Sequence, residues 1–236
     1  MHLGECNGFV CTILGGVLAL ALRKRALGGT QAERLAHFNA FREEWYRNNP
    51  PTNRLPALRP GNLVSDGWYE LSGNAVKAAN TRCAIPLFRD YVAQKFLGTT
   101  GAEPKLRKVT VQLSELYDML YSSPMLVADA DVARLRAVCL DLGVLVMELR
   151  EYCRTVNLLA FRVVPKMHRL QHLPLYAEVL NPRHVHNYGE ESLIGTTTQV
   201  WQRAMRGRYK VEAQSNVLLR RTLGLFLRLE IGSIVQ

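Results

Sequence analysis

The chain has 236 residues, 48% of them hydrophobic and 21% charged, with a formal net charge of +10. That length suits one large domain or two small ones. The hydrophobic fraction excludes a chain too polar to build a core, and the basic excess points to a polyanionic partner: DNA, RNA or an anionic membrane surface. The five cysteines, Cys6, Cys11, Cys83, Cys139 and Cys153, form no Cys-x-x-Cys pair. Neither a zinc site nor a disulfide framework is indicated, and reduced thiols inside a cell are the simplest reading.

The predicted elements are mainly helical. Phe9 to Leu22 is an apolar run followed by Arg23-Lys24-Arg25. It is shorter than the ~20 residues a membrane span needs, and its charges lie on the wrong side for a secretory signal. A buried helix within 1–27, with a basic end that suits the helix dipole, is expected. A second helix over 30–47 opens on a capping box, Thr30 with Glu33, and places Phe38, Phe41 and Trp45 on one face. The prolines and glycines of 48–67 predict a loop or linker.

Trp68 to Phe96 is expected to be helical from about Ser72 or Asn74, with a small-residue face at Ala75, Ala78 and Ala79 and a break at Pro86. Gly98 to Gly101 is a turn. Val109 to Tyr121 is amphipathic, with Leu113, Leu116, Tyr117 and Leu120 at helical spacing, and Ser122-Ser123-Pro124 ends it. Asp129 to Leu159 is predicted as a long helix with a stripe of Leu135, Val138, Cys139, Leu142, Leu145, Val146 and Leu149. His168 to Leu180 should be another helix, Val185 to Tyr188 a short extended piece, and 192–206 and 213–230 the last two helices. Four segments follow: N-terminal helices 1–47, linker 48–67, a helical domain 68–180 and a basic end 181–236. The fold class is mostly α.

The residues that could carry chemistry gather late in the chain. His168 and His172 share one helix face, a turn apart. They could hold a metal with a third ligand, pack and cap as structural residues, or contact phosphate beside Lys166 and Arg169. His184 and His186 point the same way in an extended segment. Glu190-Glu191 opens a helical run, where one carboxylate suits the helix N-terminus and leaves the other for a divalent cation. The tail carries Arg203, Arg206, Arg208, Lys210, Arg220, Arg221 and Arg228, with Trp201 and Tyr209 among them. Cations interleaved with aromatics suit a nucleic-acid backbone, and a solvated helix face is the other reading. Gly15-Gly16 and Gly28-Gly29 are not phosphate loops, because no Gly-Lys-Ser/Thr follows them. Ser114, Ser192 and the cysteines form no nucleophile motif.

Four blocks together resemble a known family. Met1-His2-Leu3-Gly4-Glu5-Cys6 through Cys11-Thr12-Ile13-Leu14-Gly15-Gly16-Val17-Leu18 is similar to the segment after the second catalytic aspartate of eukaryotic RNase H-like cut-and-paste transposases of the KDZ, CACTA and hAT-like kinds. His2 would be the histidine of their (Cys or Asp)-x-x-His motif. Tyr69 to Arg82 resembles the "ELxGxAxxxR" helix of their helical insertion. Pro165-Lys166-Met167-His168 with His172 resembles "PKxHxxxH". Glu190-Glu191-Ser192-Leu193-Ile194-Gly195 resembles "(D/E)E-S-L-x-G", which bears the last residue of the Asp-Asp-Glu triad.

The resemblance implies a helical insertion domain followed by the Glu-bearing end of an incomplete RNase H-like core. It makes Glu191, or alternatively Glu190, the triad glutamate, with Glu191 a ligand of Mg²⁺ or Mn²⁺. It implies DNA as partner, through Lys166, His168, Arg169, His172, Arg203, Arg206, Arg208 and Lys210, and a nuclear location. A homo-oligomer is open to it, and neither a membrane nor a small-molecule substrate is expected. The family's two aspartates would lie upstream of Met1, so strand cleavage and joining would fail with this chain alone. Two further readings are a non-enzymatic α-helical nucleic-acid-binding or interaction protein, and a peripheral membrane protein using residues 9–25.

Overall fold

The computed structural model describes residues 8–51, 53–72, 78–164 and 167–185. The chain divides at Val185 into two units, and every described residue belongs to the first. Its architecture is mostly helical. Helix α1 (Phe9–Arg23) is buried along its length from Phe9 to Leu22. A helix apolar on all sides must be surrounded, and α2 (Gln31–Asn48) packs against it. The capping box is present: Thr30 Oγ1 accepts from the Glu33 amide at 3.1 Å, and the Thr30 amide donates to Glu33 Oε2 at 2.9 Å. Among the described residues no helix is long and apolar enough to cross a membrane. The apolar surface of 9–22 that a peripheral membrane anchor would need is covered by protein.

Residues in 48–67 are built into the core rather than strung along the surface. Leu55, Leu58 and Leu63 are buried. The buried Arg42 donates to the Leu55 carbonyl at 2.6 Å, and the Leu55 amide donates to the Tyr46 hydroxyl at 2.9 Å. Trp68 and Tyr69 precede the helix expected from about Ser72 or Asn74 and are extended, and residues 73–77 lie outside the described residues. Strands β1 (Val64–Ser65) and β2 (Trp68–Tyr69) form a hairpin, pairing Val64 with Tyr69 and Ser65 with Trp68. The reason is Asp66-Gly67, with φ of 49° and 78°. Two consecutive positive φ values make the tight turn whose twist matches paired strands.

After the hairpin, Glu70 and Leu71 run across α1. The Leu71 amide donates to the Cys11 carbonyl at 3.1 Å. A Cβ on Gly15 would lie 2.2 Å from the Glu70 Cα, and one on Gly16 would lie 2.7 Å from the Phe161 ring. The glycine pair is therefore a crossing point for backbone and an aromatic ring.

Among the described residues the remaining α-helices are α3 (Ala78–Cys83), α4 (Ile85–Lys95), α5 (Glu103–Ser122), α6 (Asp129–Thr155) and α7 (His168–Ala177). Pro86 sits in the first turn of α4, where its missing N–H costs nothing, and the run breaks there as expected, one helix ending at Cys83 and the next beginning at Ile85. An aromatic cluster joins α2 to α4: the Phe38 and Tyr91 rings meet edge-on at 5.0 Å, and Phe41 lies 5.1 Å from Tyr91. The seven stripe residues of α6 are all buried. That helix stops at Thr155, short of Leu159, because Asn157 turns left-handed (φ 52°) and the Leu158 amide returns to the Cys153 carbonyl at 2.9 Å. The sequence expectation that Val185 is extended is also corrected, since it ends a 3-10 turn, Pro182–Val185. Ala75 lies outside the described residues.

Candidate nucleic-acid interface

Helix α7 forms from a run whose apolar positions, Leu170, Leu173 and Ala177, fall on one side together with Pro174. That side packs against α6. Its far end is tied down by Arg136 of α6, which donates to Glu178 Oε1 at 2.7 Å. With that side buried, the opposite face must look outward, and His168, Arg169, His172 and Tyr176 are all exposed on it.

The exposed rings form a ladder. His168 and His172 have centroids 5.7 Å apart at 85°, and His172 and Tyr176 have centroids 6.4 Å apart at 45°. One helical turn separates each ring from the next. Arg169 stands beside this ladder and makes no hydrogen bond or ion pair among the described residues. The structure thus brings together three of the sequence-predicted residues, His168, Arg169 and His172. Tyr176 was missed, although its i+8 position from His168 continues the same spacing.

Below the ladder, the chain leaves α7 through a fixed joint. Asn181 is fully buried. Its Nδ2 donates to the carbonyls of Leu120, Ser123 and Pro124 at 3.0, 3.1 and 3.2 Å, and its amide donates to the Met125 carbonyl at 2.8 Å. Arg183 donates to the Tyr121 carbonyl at 2.7 Å, and its guanidinium lies 4.7 Å from the Tyr121 ring centroid. Arg82 approaches the same ring at 4.8 Å. These contacts fix residues 181–183 against the end of α5, and no periodicity in the sequence signals them.

Elsewhere in this unit most cations are already engaged. Lys105 pairs with Glu148 at 3.0 Å, Lys108 with Asp141 at 3.3 Å and Arg134 with Glu115 at 2.7 Å, linking α5 to α6. Lys24 holds Glu103 at 2.8 Å, and Arg34 and Arg107 cap backbone carbonyls.

Among the described residues no group of three His, Cys, Asp or Glu comes together to hold a metal, so His168 and His172 gain no third ligand there. His2, Lys166, His186, Glu190, Glu191, Arg203, Arg206, Arg208 and Lys210 lie outside the described residues. No family model, curated protein or solved structure matches the chain.

Proposed function

We propose that this chain binds DNA, that the exposed face of α7 is part of the contact surface, and that the chain is the C-terminal part, or a remnant, of an RNase H-like transposase. The observation that carries the binding is the His168–His172–Tyr176 ladder with Arg169 beside it. Rings at one-turn intervals offer stacking platforms to unpaired bases, and the adjacent guanidinium offers a phosphate contact that is indifferent to sequence. The basic tail, with Arg203, Arg206, Arg208 and Lys210, would extend the phosphate contacts.

The descent rests on the four motif blocks in their order. In that reading Glu191, or Glu190 beside it, is the triad glutamate, and Mg²⁺ or Mn²⁺ is the metal. Two-metal phosphoryl transfer needs several carboxylates to hold ions about 4 Å apart. One glutamate does not suffice, and cleavage would require the family's two aspartates beside it. A nuclear location follows from the resemblance to eukaryotic transposases alone.

The test is titration of fluorescent single-stranded and duplex oligonucleotides with the full chain over a salt series. Substituting His168, His172 and Tyr176 together by alanine should weaken single-strand binding by about tenfold or more, since each stacked base is worth about 1–3 kcal/mol. Arg169→Ala should lower the salt slope by about 0.7 for a single strand. Unchanged affinity in both variants would remove α7 from the interface. In a reconstruction with an upstream catalytic region, Glu191→Gln should abolish cleavage and spare binding. Cleavage that survives both Glu191→Gln and Glu190→Gln would reject the transposase assignment and leave a non-enzymatic binding protein.

A further inference from the structure

Helix α6 has 27 residues, a length of about 40 Å at the α-helical rise. One side carries the buried stripe. The opposite side carries a second apolar row that nothing in the described unit covers: Leu140 is 54% exposed, Val144 58% and Met147 45%. Ala133 and Ala137 extend it toward the N-terminus, both exposed. The spacing alternates four and three residues, which is the heptad seam of a paired helix.

Gly143 lies beside this row. A Cβ there would meet nothing within 4 Å, so no contact inside the unit requires a glycine in the middle of a long helix.

We propose that α6 is a self-association surface on which two copies of this chain pair their α6 helices in parallel about a two-fold axis. The flanking charges select this arrangement. One flank of the row carries Asp129 and Arg136, and the other carries Arg134 and Asp141. In a parallel pair, a residue just before one seam position faces the residue five places further along the other copy. Asp129 then meets Arg134 of the second copy, and Arg136 meets Asp141 of the second copy. The two-fold axis repeats both contacts. An antiparallel pair in the matching register would set Arg136 against Arg150 and Asp141 against itself, with Arg134 against Glu148 as its one favourable match. The side chains of Arg134, Arg136 and Asp141 keep 65%, 53% and 51% exposure despite their contacts within the unit, so each can accept a further partner. This inference does not depend on the DNA-binding reading.

Sedimentation velocity of the full chain over a concentration series tests it. The expected result is a reversible dimer. Val144→Glu should weaken it by about tenfold or more, because a charge would enter the seam. Arg136→Glu should weaken it by a smaller factor, and adding Asp141→Arg in the same chain should restore it, since the 136–141 contact is then reversed in sign at both of its symmetry-related occurrences. Val144→Cys should cross-link under mild oxidation, because parallel pairing sets this position against itself. Circular dichroism checks that each variant keeps its helix content, and Met147→Lys replaces Val144→Glu if that variant does not. A monomer at every concentration, a dimer indifferent to the seam variants, or a double reversal that fails to restore association would overturn the proposal.

Discussion

The backbone of Glu70 occupies the space in which a side chain on Gly15 would begin. A Cβ built on Gly15 falls 2.2 Å from the Glu70 Cα and 2.8 Å from the Glu70 nitrogen. Neither neighbour is a flexible side-chain tip, so the crossing of α1 by the segment after the hairpin depends on the absence of one carbon atom. Gly15→Ala should cost about 3 kcal/mol, the upper part of the range for overpacking a filled core. Urea denaturation followed by circular dichroism measures it. A loss below about 1 kcal/mol would mean that the crossing can relax.

Asn181 holds the exit from α7. Its side chain satisfies three carbonyls at the end of α5 and in the loop after it, and Oδ1 accepts from the Arg183 amide at 3.0 Å. Asn181→Ala strands those carbonyls in a buried site. A loss of about 3 kcal/mol follows, the upper range for leaving buried acceptors unsatisfied. Amide exchange in α7 should rise more than exchange in α2, and equal changes in the two helices would contradict this local role.

Burial raises the Glu103 pKa, but hydrogen bonds from Lys24 and the Gly98 amide outweigh it, helped by the charges of Lys24 and Arg107. The net result is a pKa below the ordinary value of 4.5. A folded pKa lower than the unfolded one adds stability above the unfolded value, and that stability is lost as pH falls through the folded value. Glu103→Gln should therefore be less stable than the parent at neutral pH, by about 1 kcal/mol given the partial exposure of the pair. The difference should shrink as the solution is acidified below 4.5. A gap that stays constant from neutral to acid pH would show that charge is not its source.

Cys139 and Cys153 are buried in α6, and burial pushes both thiols up to about 12, slightly opposed at Cys153 by the charge of Arg23. The thiolate is the reactive form. Neither cysteine should react with a maleimide at neutral pH until the chain is unfolded. Mass spectrometry of peptides labelled before and after adding urea distinguishes the two states. Labelling of either residue in the native chain would show that α6 opens readily.

Local patterns in the sequence account for much of the helical order. The Thr30–Glu33 capping box, the α5 face through Leu113, Leu116, Tyr117 and Leu120, and all seven stripe positions of α6 depend on spacing within one element. Such interactions join residues three or four apart, so a linear reading finds them. His168 and His172 share a face for the same reason, and Tyr176 could have been added by carrying the spacing one turn further.

Tertiary structure decided the rest. Asp66-Gly67 is a short turn signal inside a Pro-rich stretch, and it makes a hairpin because β2 also bonds outward, through the Tyr69 amide to the Leu159 carbonyl at 2.8 Å. Gly15 and Gly16 carry no local meaning until Glu70 and Phe161, distant in sequence, arrive against them. The positive charge is a property of composition, yet which cations are paired was settled by ion pairs across α5 and α6 and by carbonyls that folding brings within reach of Arg34 and Arg107. Spacing along the chain determines which side of a helix is apolar, whereas the neighbour that covers that side, or leaves it open as on α6, depends on contacts between residues far apart in sequence.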